Sequence, residues 1–253
     1  MTTLRLLAAS TLICLGIAAH AATHFANETL RYVVTYKWGL IQKDAGDATL
    51  HLSNSSGNYS ITMTARTRPW ADKFFTVRDT LRARVQRDSF RPLRYEKHTH
   101  EGGKYGRDII DYTYSGRTVT GYCEKFRRKK EQESSEKFTM QATGSAYDML
   151  TIFYYLRTID YGALRNNQVL KKTIFSGSKA ETVTIKSIGI EKVKLRDKSV
   201  HEAYHIRFRF TSGGGKKSSP DMDTWISTDS RHIPLRLEGD LPVGKVKCYL
   251  ISY

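Results

Sequence analysis

The chain has 253 residues, with 41 Lys and Arg against 25 Asp and Glu, a formal net charge of +16 and an apolar fraction of 40%. That length is ample for a hydrophobic core without metal or disulfide staples. Past the first 21 residues no apolar run approaches the roughly 18 residues that a membrane-crossing helix needs, so a helical span in the remainder is excluded.

The first segment reads as a cleavable export signal. Arg5 gives a short positive start, Leu6 to Ala18 form an apolar stretch, and Ala19-His20-Ala21 supplies the small-x-small cleavage pattern. Residues 22–253 are then expected to work in the periplasm or cell envelope, where ATP, nicotinamide cofactors and genomic DNA are not the expected partners. The surplus of cations points to lipid headgroups, lipopolysaccharide phosphates or an anionic envelope glycan rather than nucleic acid, or serves solubility alone. Cys14 falls inside the signal, after Ile13, where a lipoprotein signal wants a small residue. Cys123 and Cys248 remain, an even pair for an oxidising compartment that forms either one disulfide or two separately buried thiols.

Period-two patterning dominates residues 22–253. Leu30-Tyr32-Val34-Tyr36-Trp38 alternates with polar neighbours, as do Ala48-Leu50-Leu52, Tyr59-Ile61-Met63-Ala65, Leu81-Ala83-Val85 and Ile206-Phe208-Phe210. Such segments are strands with one buried and one wet face, the mark of antiparallel sheet. Turn clusters separate them at 53–57, 101–103, 115–116 and 212–215. About a dozen strands are too many for a flat open sheet, so the expected fold is mainly β, a sheet curled into a barrel or half-barrel. Lys125 to Lys137, rich in Arg, Lys and Glu, reads as a solvated excursion between strands.

One segment departs from this rhythm. Ser145 and Asp148 form a capping box, and Met149, Ile152, Phe153, Leu156 and Ile159 recur at helical spacing, with Leu150, Tyr154 and Tyr155 adding apolar surface off that stripe. A single main helix packed on the concave side of the sheet is predicted here. No linker divides the chain, so 22–253 is expected to be one domain.

Several motifs invite over-reading. His201-Glu202-Ala203-Tyr204-His205 spells the zinc-protease H-E-x-x-H, but that chemistry requires a helix, and in a strand the two imidazoles stand about 13 Å apart. Ser176 to Lys179 spells S-x-x-K without the companion elements of penicillin-binding enzymes, and it falls in a turn. Glu96, His98 and His100 share a strand face close enough for two imidazoles to share a metal, or form a polar outer face. Asp108 and Asp111 point to opposite faces. No catalytic residue, metal site or cofactor site is therefore assigned.

The C-terminal run Trp225-Ile226-Ser227-Thr228-Asp229-Ser230-Arg231-His232-Ile233-Pro234-Leu235-Arg236, continuing to Val243-Gly244-Lys245-Val246, resembles the ending of the bacterial domain-of-unknown-function 3108 family. Tyr147 through Arg157 is similar to that family's D-x-x-S … Y-x-x-R element, with Thr151 in place of Ser, and Leu30 to Leu52 fits its first hairpin. The resemblance implies an exported bacterial protein and brings no activity or catalytic residue with it. On physical grounds Trp225, Asp229, Pro234 and Gly244 form a structural motif: Trp225 fills core volume, Asp229 accepts backbone N–H bonds in a turn, and Pro234 breaks pairing.

The leading expectation is a binding protein whose curled sheet and helix enclose an apolar groove for a lipid or acyl chain, with Met149, Ile152, Phe153, Leu156, Tyr154 and Tyr155 as groove candidates. A carbohydrate-binding or scaffold protein using Trp38 or Trp70 as stacking platforms is the alternative, and it predicts outer-face aromatics and no cavity. A hydrolase would need an acid or His cluster in a cleft, which the sequence does not assemble.

Overall fold

The computed structural model describes residues 24–164, 168–212, 217–241 and 244–253. The expected export segment lies outside them. The first eight strands run β1 (Glu28–Trp38), β2 (Ile41–Ser55), β3 (Asn58–Thr67), β4 (Arg78–Gln86), β5 (Pro92–Glu101), β6 (Lys104–Ser115), β7 (Thr118–Lys129) and β8 (Gln132–Thr143). Then come β9 (Ala146–Tyr147), β10 (Val169–Ser176), β11 (Lys179–Lys194), β12 (Val200–Ser212), β13 (Lys217–Ser218), β14 (Met222–Ser227), β15 (Pro234–Asp240) and β16 (Lys245–Ser252). Alternation builds them: in β4, Leu81, Ala83 and Val85 are buried while Arg82 and Arg84 are exposed.

All sixteen strands belong to one sheet, in the order β8-β7-β6-β5-β4-β3-β2-β1-β16-β15-β14-β12-β11-β10-β9, with β13 beside β12. Every pairing is antiparallel except β9 with β10. The two ends of this path are neighbours in sequence: β8 turns at Gly144, in the left-handed region at φ +90°, and enters β9 two residues later. The chain itself thus bridges the sheet's edges, and β8 lies against β11. The result is a nearly closed barrel. Across its outer face runs a charged row, Thr62, Arg82, Glu96, Ile109, Glu124 and Lys137 in register, where a membrane-spanning barrel carries an apolar band.

An antiparallel meander sorts its turns to two ends. The turns β1–β2, β3–β4, β5–β6, β7–β8 and β15–β16 gather at what we call the Trp38 end, where Lys37 stands opposite Lys245. The turns β2–β3, β4–β5, β6–β7, β8–β9 and β14–β15 gather at the Phe25 end.

Two expectations need correction. The long helix is absent: among the described residues there are two short ones, α1 (Pro69–Asp72) and α2 (Thr151–Leu156). Helical spacing continues to Ile159, but the Arg157 carbonyl accepts from His232 Nδ1 at 2.9 Å and the Tyr155 carbonyl from the Thr158 hydroxyl and amide, so the helical ladder stops. Lys125 to Lys137 is not an excursion but the β7–β8 hairpin, its polar tip extending both strands beyond the core. Of the two arrangements left open for Cys123 and Cys248, the structure has the separate thiols, on β7 and β16, with β6, β5, β4, β3, β2 and β1 between them in the sheet.

The core falls into two clusters. One contains Leu30, Leu50, Leu52, Ile61, Val85, Tyr95 and Ile110 with Leu150 and Tyr154. The other contains Ile174, Val183, Ile185, Ile206, Phe208 and Ile226 with Ile152 and Leu156. α2 contributes to both and stands between them.

Candidate apolar ligand site

Two polar devices fix α2. At its start the buried Asp148 accepts from the Leu150 and Thr151 amides at 2.9 and 2.7 Å and from the Thr151 hydroxyl at 2.6 Å. The cap is therefore Asp148 itself, not Ser145, and it satisfies amides that a helix start leaves unpaired. Burial pushes its carboxyl up to about 6, with those hydrogen bonds pulling the other way. At the helix end Arg157, only 1% exposed, forks onto Glu28 and donates to the carbonyls of His232 and Arg231 at 3.0 Å each. Its guanidinium lies over the rings of Phe25 at 4.7 Å and Tyr154 at 5.1 Å, and the Tyr154 hydroxyl joins Glu28 at 3.2 Å. A buried charge so fully partnered is retained; one stripped of its partner is strongly destabilising.

Between these anchors, Met149, Leu150, Ile152, Phe153 and Leu156 each border a cavity. A cavity of about 260 Å³ is lined by Met149, Leu150 and Phe153 on one side and by Tyr32, Leu50, Met63, Leu81, Leu237 and Cys248 among others on the sheet. A second, of about 180 Å³, is lined by Ile152, Leu156, Val183, Phe208, Phe210 and Met222. Met149, Phe153 and Leu237 border both, so the two cavities flank Phe153. The lining is almost wholly apolar, and burial pushes the Cys248 thiol up to about 11.

The larger cavity lies on a graded row. Reading across the sheet in register, Leu30, Leu50, Met63 and Leu81 are followed by Lys97, Asp108, Lys125 and Glu136. Register partners share a face, a few ångströms apart, so Lys97 stands on the cavity's face beside Leu81. Asp108 is taken by Arg127 at 2.6 Å, whereas Lys97 makes no salt bridge among the described residues. Beyond it burial and the neighbouring Glu101 charge push Asp79 up to about 6.

Of the residues singled out from sequence, Met149, Ile152, Phe153 and Leu156 border the cavities. Tyr154 does not; it is buried against Phe25 at 5.2 Å. Tyr155 packs on Tyr147 at 4.9 Å, with the Lys172 ammonium over its ring. The sheet side of the site is hidden from sequence reasoning, because membership there requires strand register; the inward parity of Leu50, Met63 and Leu81 is its one visible signal.

The structural motif is built as a packed stack. Trp225 lies between the His205 ring, 4.6 Å away, and the Arg236 guanidinium, 3.7 Å away. Its indole N–H donates to Glu191 at 2.9 Å, which holds that carboxyl below its ordinary range, with His205 adding to the effect. Asp229 accepts from the Ser227 hydroxyl and the Arg231 amide. Tyr32 donates to the Pro234 carbonyl at 2.9 Å. Gly244 has φ +81°, and a Cβ there would strike the Lys37 carbonyl.

The other motifs resolve into structure. H-E-x-x-H lies in β12, with His205 between Glu191 and Asp223 and His201 on Ser199. Ser176 and Lys179 face each other across the β10–β11 turn. Glu96 and His98 take Arg94 and Tyr105 as partners, and His100 stacks on Tyr105. Asp108 is buried and Asp111 exposed. Trp38 is exposed; Trp70 donates to the Asp44 carbonyl and carries Lys43 over its ring.

The sequence profile described as "Protein of unknown function (DUF3108)" matches residues 31–251. The chain belongs to this family. No curated protein matches it. Among solved structures, the fold is similar to the crystal structure of a β-barrel-like protein of the domain of unknown function DUF1849 from Brucella abortus. That match has 8% identity and a TM-score of 0.59, and covers 90% of this chain and 97% of the other; it shows a shared fold alone. A protein of YmcC-like fold from Bacteroides fragilis aligns at 8% identity over 90% of this chain and 97% of its own, but its TM-score of 0.37 falls short of a shared fold. In the segment that resembles the D-x-x-S … Y-x-x-R element, Asp148 and Thr151, the latter in place of Ser, form the cap and Tyr154 and Arg157 grip Glu28, so both parts fix α2.

Proposed function

We propose that this protein is an exported binding protein of the periplasm or envelope that holds a lipid or acyl chain in the groove beside α2. One observation carries the reading: two apolar pockets of about 260 and 180 Å³, both partly open to solvent, flank Phe153 beside α2. Interiors pack like organic crystals and leave few voids larger than a water. Apolar space with few polar groups is what an aliphatic ligand fills. The graded row supports an amphiphile whose polar end is anionic, since Lys97 follows directly on Leu81 and lacks a salt bridge of its own. Residues 22–253 act as one binding domain in this reading, and the signal-like residues 1–21 support export.

The test is direct. Protein purified from its host and extracted with organic solvent should release a lipid in near-stoichiometric amount, read by mass spectrometry. Phe153→Trp, which crowds both cavities, should lower that yield while the unfolding midpoint holds. The single thiol bordering the groove, Cys248, should react with a small maleimide faster after delipidation than before. Clean extracts, together with a Cys248 rate indifferent to added fatty acid, would sink the proposal.

A further inference from the structure

At the Phe25 end one aromatic group is packed away: Phe25, Tyr59, Phe90 and Tyr154 have ring centroids 5.2 to 6.3 Å apart, while Ile251 and Tyr253 at the end of β16 stay exposed. The Trp38 end does the opposite. Leu40 is fully exposed, Phe74 is 82% exposed and Trp38 58%, and Ile41, Phe75 and Leu241 are exposed beside them. These six lie on the β1–β2, β3–β4 and β15–β16 turns, and the strands concerned are consecutive around the barrel: β4, β3, β2, β1, β16, β15. They make one arc of the rim.

That arc is stiff. The β3–β4 turn holds Phe74 and Phe75 just after α1, and several polar ties fasten it. Arg68 pairs with Asp47 at 2.5 Å, Arg78 with Asp72 at 2.7 Å, and the Trp70 indole donates to the Asp44 carbonyl. Asp44 is further held by Arg196 at 2.6 Å. Phe75 lies over Gly102, where a Cβ would come within 2.6 Å of its ring. A turn so constrained holds its apolar side chains in water against the hydrophobic effect. The same ion pairs occupy the local carboxylates Asp44, Asp47 and Asp72, leaving the exposed Lys37 and Lys73 without a salt bridge among the described residues.

We propose that this arc docks the barrel end-on against an anionic phospholipid bilayer, with Trp38, Leu40, Ile41 and Phe74 entering the headgroup layer. Isolated apolar tips alternating with uncompensated lysines match that layer. Trp and Phe favour its depth, and each Lys near an anionic surface adds attraction. A protein partner would call for a contiguous dry patch depleted of Lys, which the arc is not. This inference is independent of the groove and stands whether or not a lipid is extracted from it.

The test is co-sedimentation of the full mature chain with vesicles of phosphatidylcholine alone or with about one third phosphatidylglycerol. Binding is expected to the mixed vesicles, to weaken as salt rises, and to shift the emission of the exposed Trp38 to the blue. Leu40→Ser with Phe74→Ser should reduce the bound fraction roughly tenfold or more, and Lys37→Glu with Lys73→Glu should do so on the anionic vesicles. Arg117→Glu, at the opposite end, should change nothing. Unfolding midpoints confirm that all variants are folded. Wild-type protein left in the supernatant, an equal loss for Arg117→Glu, or retention on a protein partner without vesicle binding would each overturn the proposal.

Discussion

The Phe25 end and the Trp38 end are made of the same antiparallel hairpins, from the same strands, yet they handle apolar side chains oppositely. At the Phe25 end α2 and the segment before β1 fold inward, so that Phe25, Tyr59, Phe90 and Tyr154 find each other and Arg157 finds Glu28. At the Trp38 end no such plug exists among the described residues, and Phe74 projects from a turn fastened by salt bridges. Phe25, Tyr59 and Tyr154 are packed together at one rim although Tyr253 there is exposed, whereas Trp38, Phe74 and Phe75 all meet solvent at the other. The contrast teaches that stability and outward contact are assigned to different ends.

Mutations can break or sharpen that contrast. The largest effect is expected from Arg157→Met, which strands the buried Glu28 carboxylate and should cost roughly 3–5 kcal/mol in denaturant unfolding. Phe25→Ala, emptying the aromatic group, should cost about 3 kcal/mol by the same measurement. Asp148→Asn tests the cap through pH. Burial raises the folded-state value from 3.8 to about 6, so between those values the native state keeps a proton that the unfolded chain releases. Wild-type stability therefore declines as pH rises through that window, by roughly 3 kcal/mol in all. The variant lacks this decline, and the stability difference between the two should shift by that amount in the variant's favour between pH 4 and pH 7, read from unfolding curves. The smallest effect belongs to the other rim. Phe74→Ser should alter stability by less than about 0.5 kcal/mol, because the side chain buries little. A loss as large as that of Phe25→Ala would erase the distinction between the ends.

The strands were legible because most of them have one wet face. Leu81, Ala83 and Val85 alternate with arginines, and no other element gives that period. Lys125 to Lys137 was opaque because both faces of the β7–β8 tip meet solvent, so the alternation vanishes although the pairing does not. The helix was overestimated for a tertiary reason: spacing reports which side chains are buried, while the stop comes from His232, 75 residues away, taking the Arg157 carbonyl. Half of the groove was visible for the same reason that half was hidden. Met149, Ile152, Phe153 and Leu156 are local in sequence, whereas their counterparts Leu50, Leu81, Leu237 and Cys248 are assembled only when the sheet closes. Tyr154 and Tyr155 share that segment but are drawn off by Glu28 and Tyr147.

The Arg157 grip also sets an order of events during folding. Its partners are separated from it by 129 residues on the N-terminal side and by 74 and 75 on the C-terminal side. The plug cannot seat until both the earliest strand and one of the last turns have arrived. Long-range closures of this kind are slow and leave apolar strands uncovered while they wait. During synthesis Leu30, Leu50 and Leu81 appear long before Arg231 and His232, so the plug seats only once the final hairpins have formed.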